Sequence, residues 1–249
     1  MGIQPLTLGS QSNIGRDPAI SAASLINCYV EVAGDGAKMQ FPIVACDGHA
    51  AWATLTGGAA GVTRGMINLN DTTLYVVTGT RIQSVTTAAG VTHLAELATS
   101  GIAYMARNRR GEDGLGGYTQ IAIVTSDGLF RMIENNIVST PSLDADIPSS
   151  LFNSVCQIDG YFVFTLSNGE FYISQIDGGT TGAIIDDPND FASAQSNADG
   201  LTRGLVRGRE LVLMGPRSTE FWQNTGATDF PFERAQAMEI GIYAPASAV

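Results

Sequence analysis

Four short apolar runs recur along the chain, each followed by a turn and a second β-rich run. They are Leu74-Tyr75-Val76-Val77-Thr78, Ile121-Ala122-Ile123-Val124-Thr125, Tyr161-Phe162-Val163-Phe164-Thr165 and Leu211-Val212-Leu213-Met214. Runs of about four or five apolar residues bounded by turn formers are too short for helices and read as buried strands. The partner runs are Arg81 to Val85, Leu129 to Ile133, Glu170 to Ile176 and Thr219 to Gln223. The turns between them are Gly79-Thr80, Ser126-Asp127-Gly128, Ser167-Asn168-Gly169 and Gly215-Pro216. Asp-Gly and Asn-Gly supply the positive φ that tight hairpins need, so each pair predicts a hairpin. A third run precedes each one: Val62 to Ile67, Ile102 to Arg107, Ser154 to Ile158 and Leu201 to Val206.

The equivalent positions Thr78, Thr125, Thr165 and Met214 are separated by roughly 47, 40 and 49 residues, within the ~40 to 50 residues of a propeller blade. The predicted fold is therefore all-β: a β-propeller-like array of antiparallel blades with at least three strands each. The units fall at about 61–100, 101–148, 149–180 and 200–235, inside a repeat domain of residues 61–249. A β-sandwich of irregular meanders is the competing arrangement, and the regular spacing favours blades. Residues 1–60 lack the hairpin pattern and read as an extended N-terminal arm, in which Asn27 to Val32 alternates like an edge strand. Asp177 to Gly200 is polar and rich in Gly and Asp, which predicts a long loop.

Composition agrees with a turn-rich β protein. The 249 residues are 44% hydrophobic and include 29 glycines, enough apolar surface for a sizeable core and enough glycine for many tight turns. With 24 acidic against 13 basic residues, the net charge is −11. That balance opposes a surface built to neutralise phosphates, yet suits a conduit along which DNA slides without sticking. Cys28, Cys46 and Cys156 are odd in number and widely spaced, which reads as buried thiols in a reducing compartment, with one disulfide plus a free thiol as the alternative. No basic segment with an apolar run opens the chain, and no run is long enough to span a membrane as a helix.

Catalytic readings are weak. Asp186, Asp187 and Asp190 would supply oxygen ligands to calcium, but their spacing lacks the glycine and closing glutamate of a calcium loop, and they read instead as solvated turn residues. Asp144 and Asp146 would serve a glycosidase only if carboxylates from different blades converged. His49 and His93 are isolated, and no nucleophile elbow or phosphate loop is present. The expectation is therefore no enzyme, no cofactor and no metal. Arg107, Arg109 and Arg110 form the densest basic cluster, beside the Gly-rich stretch Gly111 to Gly117. Together these predict a loop that contacts a channel or a neighbouring subunit.

Two stretches carry a family resemblance. Near the start stand Gly15-Arg16, Asn27-Cys28-Tyr29-Val30-Glu31 and Phe41-Pro42. Toward the end come Asn197-Ala198-Asp199-Gly200-Leu201, Arg209-Glu210-Leu211-Val212-Leu213, Ser218-Thr219-Glu220-Phe221-Trp222, Asn224-Thr225-Gly226 and Asp229-Phe230-Pro231-Phe232-Glu233-Arg234. Both resemble the packaged-DNA stabilisation proteins of short-tailed bacteriophages, also called tail accessory factor, tail hub or nozzle proteins. Ile43 stands where that family has a glycine.

The resemblance implies a virion tail protein, assembled in the host cytoplasm as a homo-hexameric ring beneath the portal and its adaptor. It would retain packaged DNA and form part of the ejection conduit. The implied partners are other copies of the chain, portal-adaptor proteins, tail needle, plug or tailspike proteins, and double-stranded DNA passing without sequence-specific binding. The implied structural or interface residues are Asn27, Tyr29, Phe41, Pro42, Ser218, Thr219, Glu220, Phe221, Trp222, Asn224, Gly226, Phe230, Pro231 and Phe232. Four units are few for a closed ring, so completion by a second polypeptide, by further residues or by a neighbouring subunit is expected. A propeller-type glycan-processing enzyme and a scaffold binding protein ligands are the alternatives.

Overall fold

The computed structural model describes residues 13–14, 22–23, 28–30, 43–45, 51–55, 61–112, 117–141, 143, 146–178, 184–185, 190–194, 196–197 and 199–247. The chain divides into two compact units, Met1–Trp52 and Ala53–Val249. In the first, β1 (Asn13–Ile14) pairs with β2 (Ala22–Ala23), and β3 (Cys28–Val30) pairs with β4 (Ile43–Ala45), both antiparallel.

The second unit is a succession of four antiparallel sheets of four strands. The first sheet holds β5 (Thr63–Asn70), β6 (Thr73–Thr78), β7 (Arg81–Thr86) and β8 (Val91–Glu96). The second holds β9 (Ala103–Arg107), β10 (Gln120–Thr125), β11 (Phe130–Glu134) and β12 (Ile137–Ser139). The third is β13 (Phe152–Ile158), β14 (Tyr161–Leu166), β15 (Glu170–Ile173) and β16 (Phe191–Ser193). The fourth is β17 (Arg203–Arg207), β18 (Glu210–Met214), β19 (Thr219–Asn224) and β20 (Phe232–Met238). Every sheet meanders in chain order, so only neighbours in sequence pair. The first strand of each sheet lies beside the first strand of the next, β5 by β9, β9 by β13 and β13 by β17. This is the propeller arrangement, with four blades in an arc.

The central strands show why their sequences are continuous apolar runs rather than alternating ones. All six residues of β10 are buried. Ile121 and Ile123 point into the seam with the first sheet, whereas Ala122 and Val124 point into the seam with the third. In β14, Phe162, Phe164 and Leu166 face the second sheet, and Val163 faces the fourth. A strand covered on both faces must be apolar at odd and even positions alike.

Turn chemistry fixes the hairpins. Asn135 and Asn136, with φ of 48° and 63°, join β11 to β12 in a two-residue turn whose positive φ values Asn tolerates. Gly128 has φ of 89°, and a Cβ there would sit 2.5 Å from the Ser150 carbonyl oxygen, so both conformation and space demand glycine.

One feature extends the sequence expectation of at least three strands per unit, and one differs from it. Each sheet has a fourth, outer strand, and one of these, β16, lies within the stretch 177–200 read as a loop. The outer strands are short or largely exposed, so their residues carry little apolar signal; β16 has only Phe-Ala-Ser to show. Among the described residues there is no α-helix, only 3₁₀ turns at Ser149–Leu151, Ile176–Gly178 and Pro245–Ser247. None is long and apolar enough to cross a membrane.

Candidate functional site

Two regions gather the chemistry: the seam beneath the fourth sheet, and a groove along the innermost strands. In the seam, Trp222 on β19 points at the third sheet and meets Phe171 edge-on, ring centres 5.0 Å apart. Phe230 and Phe232 close the cluster at 5.8 Å from Phe171 and 5.7 Å from Tyr161 respectively. Edge-on aromatic contacts add to the area buried, because ring edges are positive and faces negative. Phe221, one residue from Trp222, points to the opposite face, as strand alternation requires.

Glu220 shares the face of Trp222 and is almost fully buried. Its carboxylate accepts the Trp222 Nε1–H at 2.9 Å, the Ser196 backbone N–H at 2.6 Å and a bond from Arg234 at 3.3 Å. A buried charge is tolerated only when so surrounded by donors. It therefore ties the strand to the segment entering the sheet. Asp199 works the same way from the other side, accepting the N–H groups of Arg217 and Ser218 at 2.7 and 3.1 Å and the Ser218 hydroxyl at 3.0 Å. Thr219 donates its hydroxyl to the Ile240 carbonyl at 2.6 Å. Asn224 donates to Asp159 of the third sheet at 3.1 Å and accepts the Gly226 N–H at 2.9 Å. The Pro231 carbonyl accepts from the Thr225 backbone and hydroxyl.

The motif from Ser218 to Phe232 is thus a set of seam contacts and loop ties. Tyr29 sits on β3 opposite Val44. Asn27, Phe41 and Pro42 lie outside the described residues.

The groove has a volume of about 650 Å³ and runs along β5, β9, β13 and β17. Met66, Met105, Cys156 and Leu205 line it, one from each strand, paired with Val76, Ile123, Val163 and Val212 of the neighbouring strands. Arg203 lies over the Tyr104 ring at 5.2 Å and donates to the Pro245 carbonyl at 2.9 Å. Burial pushes the Cys156 thiol up to about 12, with nearby Arg203 pulling the other way. Such a thiol stays protonated and inert.

The basic cluster is bound within its own chain. Arg107 donates to the Leu69 carbonyl and lies 3.3 Å from Glu112, and Arg110 lies 3.8 Å from Glu134. Arg109 is exposed. His93 lies 3.3 Å from Glu96. Of the acidic residues weighed for catalysis or calcium, Asp144, Asp186 and Asp187 lie outside the described residues, as does His49. Asp190 uses its backbone carbonyl to accept the Ile173 N–H. Among the described residues no three His, Cys, Asp or Glu side chains are placed to hold a metal ion.

Sequence reasoning missed Arg64, a cation with four hydrogen bonds to the first linker and its turn. It donates to the carbonyls of Gly79, Thr99 and Gly101 at 2.6 to 2.7 Å and to the Thr99 hydroxyl at 2.9 Å. A lone Arg on a half-exposed strand gives no sequence signal of that role.

Four meandering sheets in an arc, held to one another by polar ties, define a β-propeller-like class of protein. A family model described as "Bacteriophage P22 Gp10, beta-propeller" matches residues 48–249, and the chain belongs to that phage stabilisation family. It is therefore a bacteriophage protein. No curated protein matches. Similar solved structures include the WD40 β-propeller domain of Doa1, at 14% identity and TM-score 0.47, matched over 76% of this chain and 57% of that one. BBS1N in complex with ARL6DN matches at 12% identity and TM-score 0.46, over 80% of this chain and 57% of that one. The chain spans little more than half the length of either.

Proposed function

We propose that the chain is a nozzle or hub component of a short phage tail, attached below the portal and its adaptor. There it closes the channel to retain packaged DNA and later forms part of the ejection conduit. The observation that carries this reading is the family match across 48–249, covering the entire four-sheet arc. The electrostatics support it: the net charge is −11, and two of the three clustered arginines lie beside glutamates of their own chain. A wall of that sign lets DNA pass without the counterion release that would hold it. A homo-hexameric ring and contacts with needle, plug or tailspike proteins, taken from the family, and an arm formed by residues 1–60, read from the sequence pattern, complete the reading.

The test is to image the purified chain alone and with portal and adaptor rings. A ring that joins the adaptor end supports the assignment. A particle indifferent to both rings at about 10 µM, a concentration at which contacts of micromolar Kd are mostly formed, removes it.

A further inference from the structure

Charge is sorted by strand in the second unit. The first strands of the four sheets, β5, β9, β13 and β17, carry Arg64, Arg107, Arg203 and Arg207 and no carboxylate. The carboxylates on the other strands, Glu96, Glu134, Glu170, Glu210, Glu220 and Glu233, all stand on the second, third or fourth strand of a sheet. In a chain with 24 acidic and 13 basic residues, the innermost strands reverse the sign of the whole.

The groove along those strands keeps the reversed sign. Neither Asp nor Glu lines it among the described residues, whereas Arg107 and Arg203 both do. Arg107 faces Glu112 at 3.3 Å. Arg203 is oriented by the Tyr104 ring beneath it, at 5.2 Å, and by one bond to the Pro245 carbonyl. A guanidinium held in this way loses little further freedom when it meets an anion. Tyr104 adds a second polar group. Its side chain is 8% exposed, and its hydroxyl, shielded from solvent, has no hydrogen-bond partner among the described residues. Buried hydroxyls are almost always bonded, so one without a partner calls for an acceptor. Burial pushes this phenol above the usual tyrosine value, with Arg203 pulling the other way, so it carries its proton at neutral pH and can donate it. The walls around the pair are apolar and include Met66, Met105 and Leu205. Met66 is 68% exposed, a thioether offered to solvent from a central strand. Methionine walls adapt to side chains of varied shape.

We propose that the groove is a docking site for an extended peptide of a partner protein, one that carries an acidic side chain between apolar residues. The carboxylate pairs with Arg203 and accepts the Tyr104 O–H, and the apolar neighbours pack on Met66, Met105 and Leu205. Charge complementarity selects this occupant: the recess is the place where an acidic chain presents cations without carboxylates. A DNA phosphodiester has the right sign, but its affinity comes from cations spread over an open surface that release counterions. Here the polar pair stands among thioether and aliphatic walls. The volume of about 650 Å³ falls within the ~300 to 1,000 Å³ of ligand sites. The inference does not rest on the tail assignment, and imaging with portal and adaptor rings leaves it untouched.

The experiment is fluorescence polarisation of labelled, amidated pentapeptides on the full chain. The peptides have Glu at the centre and every combination of Leu, Met, Phe and Val around it, beside the same arrays with Gln or Lys at the centre. Members of the Glu array should bind with Kd at or below ~100 µM, their Gln counterparts at least about tenfold more weakly, and the Lys array not at all. Arg203→Gln should weaken the Glu peptides about tenfold. Tyr104→Phe should weaken them about threefold while melting with the parent, because the hydroxyl has no bond to a described residue to lose. That variant keeps the ring and the fold, so its affinity reads the hydroxyl alone. No binding by any Glu member at ~1 mM overturns the proposal, and so does equal binding of the Glu and Gln arrays. Peptide binding that ignores both substitutions places the site elsewhere and overturns it too. A short DNA duplex that binds, and that Arg203→Gln releases, while every peptide stays free, overturns it by naming another occupant.

Discussion

The first seam and the third seam join sheets of the same topology by different chemistry. Between the first and second sheets the buried contacts are chiefly aliphatic: Val77, Ile82, Leu97, Ile121, Ile123 and Ile133 around a single Tyr75. Its polar reinforcement lies at the rim, where Arg64 collects three carbonyls and the Tyr75 hydroxyl donates to Asn136 at 2.6 Å. Between the third and fourth sheets the core is aromatic, and charge has moved inside. Trp222, Phe171, Phe230 and Phe232 pack around the buried Glu220. Ser154 on β13, bonded to the Thr165 hydroxyl, accepts the Gly204 N–H of β17 at 2.9 Å across the seam. Aliphatic burial is forgiving of small shape changes, whereas a buried polar network fails sharply when one member goes. The third seam should therefore be the more specific and the more brittle.

The largest test of that contrast is Trp222→Ala. It removes the ring facing Phe171 and orphans a donor bond to Glu220, for an expected loss of about 3 to 5 kcal/mol. Ile121→Val in the first seam deletes one methylene and should cost about 1 kcal/mol. Urea denaturation of both variants checks the pair. Equal losses would mean that the two seams are equally tolerant.

Next comes Glu220→Ala, which leaves the Trp222 and Ser196 N–H groups without their acceptor in a dry site. A loss of about 3 kcal/mol is expected. Glu220→Gln keeps one acceptor oxygen and should recover part of it. If glutamine is as damaging as alanine, the charge facing Arg234 matters more than the two N–H bonds.

Much of the third seam was legible from residue order. Phe221 and Trp222 had to part across a strand, and Asp229 to Phe232 suited an edge piece or an inter-blade plug; Phe230 and Phe232 fill that place. The central strands announced themselves because burial on both faces keeps most of their positions apolar, with a few paired polar exceptions such as Thr165. Outer strands did not, since β12 and β16 are three residues long. Glu220 stood in the motif, yet nothing in Thr-Glu-Phe-Trp says that the carboxylate points inward. Its partners Ser196 and Arg234 lie 24 and 14 residues away, a distance that only the folded sheet order closes. Arg64 was invisible for the same reason, its partners lying 15 to 37 residues off. The Arg107 to Arg110 cluster gave the opposite lesson: charge density in sequence says nothing about which guanidinium already faces a carboxylate.

A smaller effect is expected at the rim of the first seam. Arg64→Ala removes the donors that hold Gly79, Thr99 and Gly101 together, for about 2 kcal/mol, and lysine should rescue little because a single ammonium cannot span three carbonyls. Thermal melting reads this directly, at roughly 2 to 4 °C per kcal/mol for a chain of this size. Full rescue by Arg64→Lys would show that only the charge counts.

The smallest expected effect separates the seams by pH. Asp127, on the turn joining β10 to β11, is exposed. Burial pushes its carboxyl up, but bonds from the Thr125 hydroxyl and the backbone N–H groups of Ser100, Gly101 and Asp127 itself outweigh that, holding it below the usual carboxylate range. A carboxylate with a depressed folded pKa stabilises above its unfolded value of about 4, and the stabilisation fades as pH falls through the folded value. Asp127→Asn should therefore cost no more than about 1 kcal/mol at pH 7, given the solvent screening at that turn. The variant should also lose less stability than the parent as pH falls from about 5 to 3, where an ordinary aspartate of pKa about 3.9 takes up its proton. Stability curves of parent and variant that run parallel through that range would show that the first linker is held by Arg64 and backbone bonds alone, and that its acid sensitivity arises elsewhere in the arc.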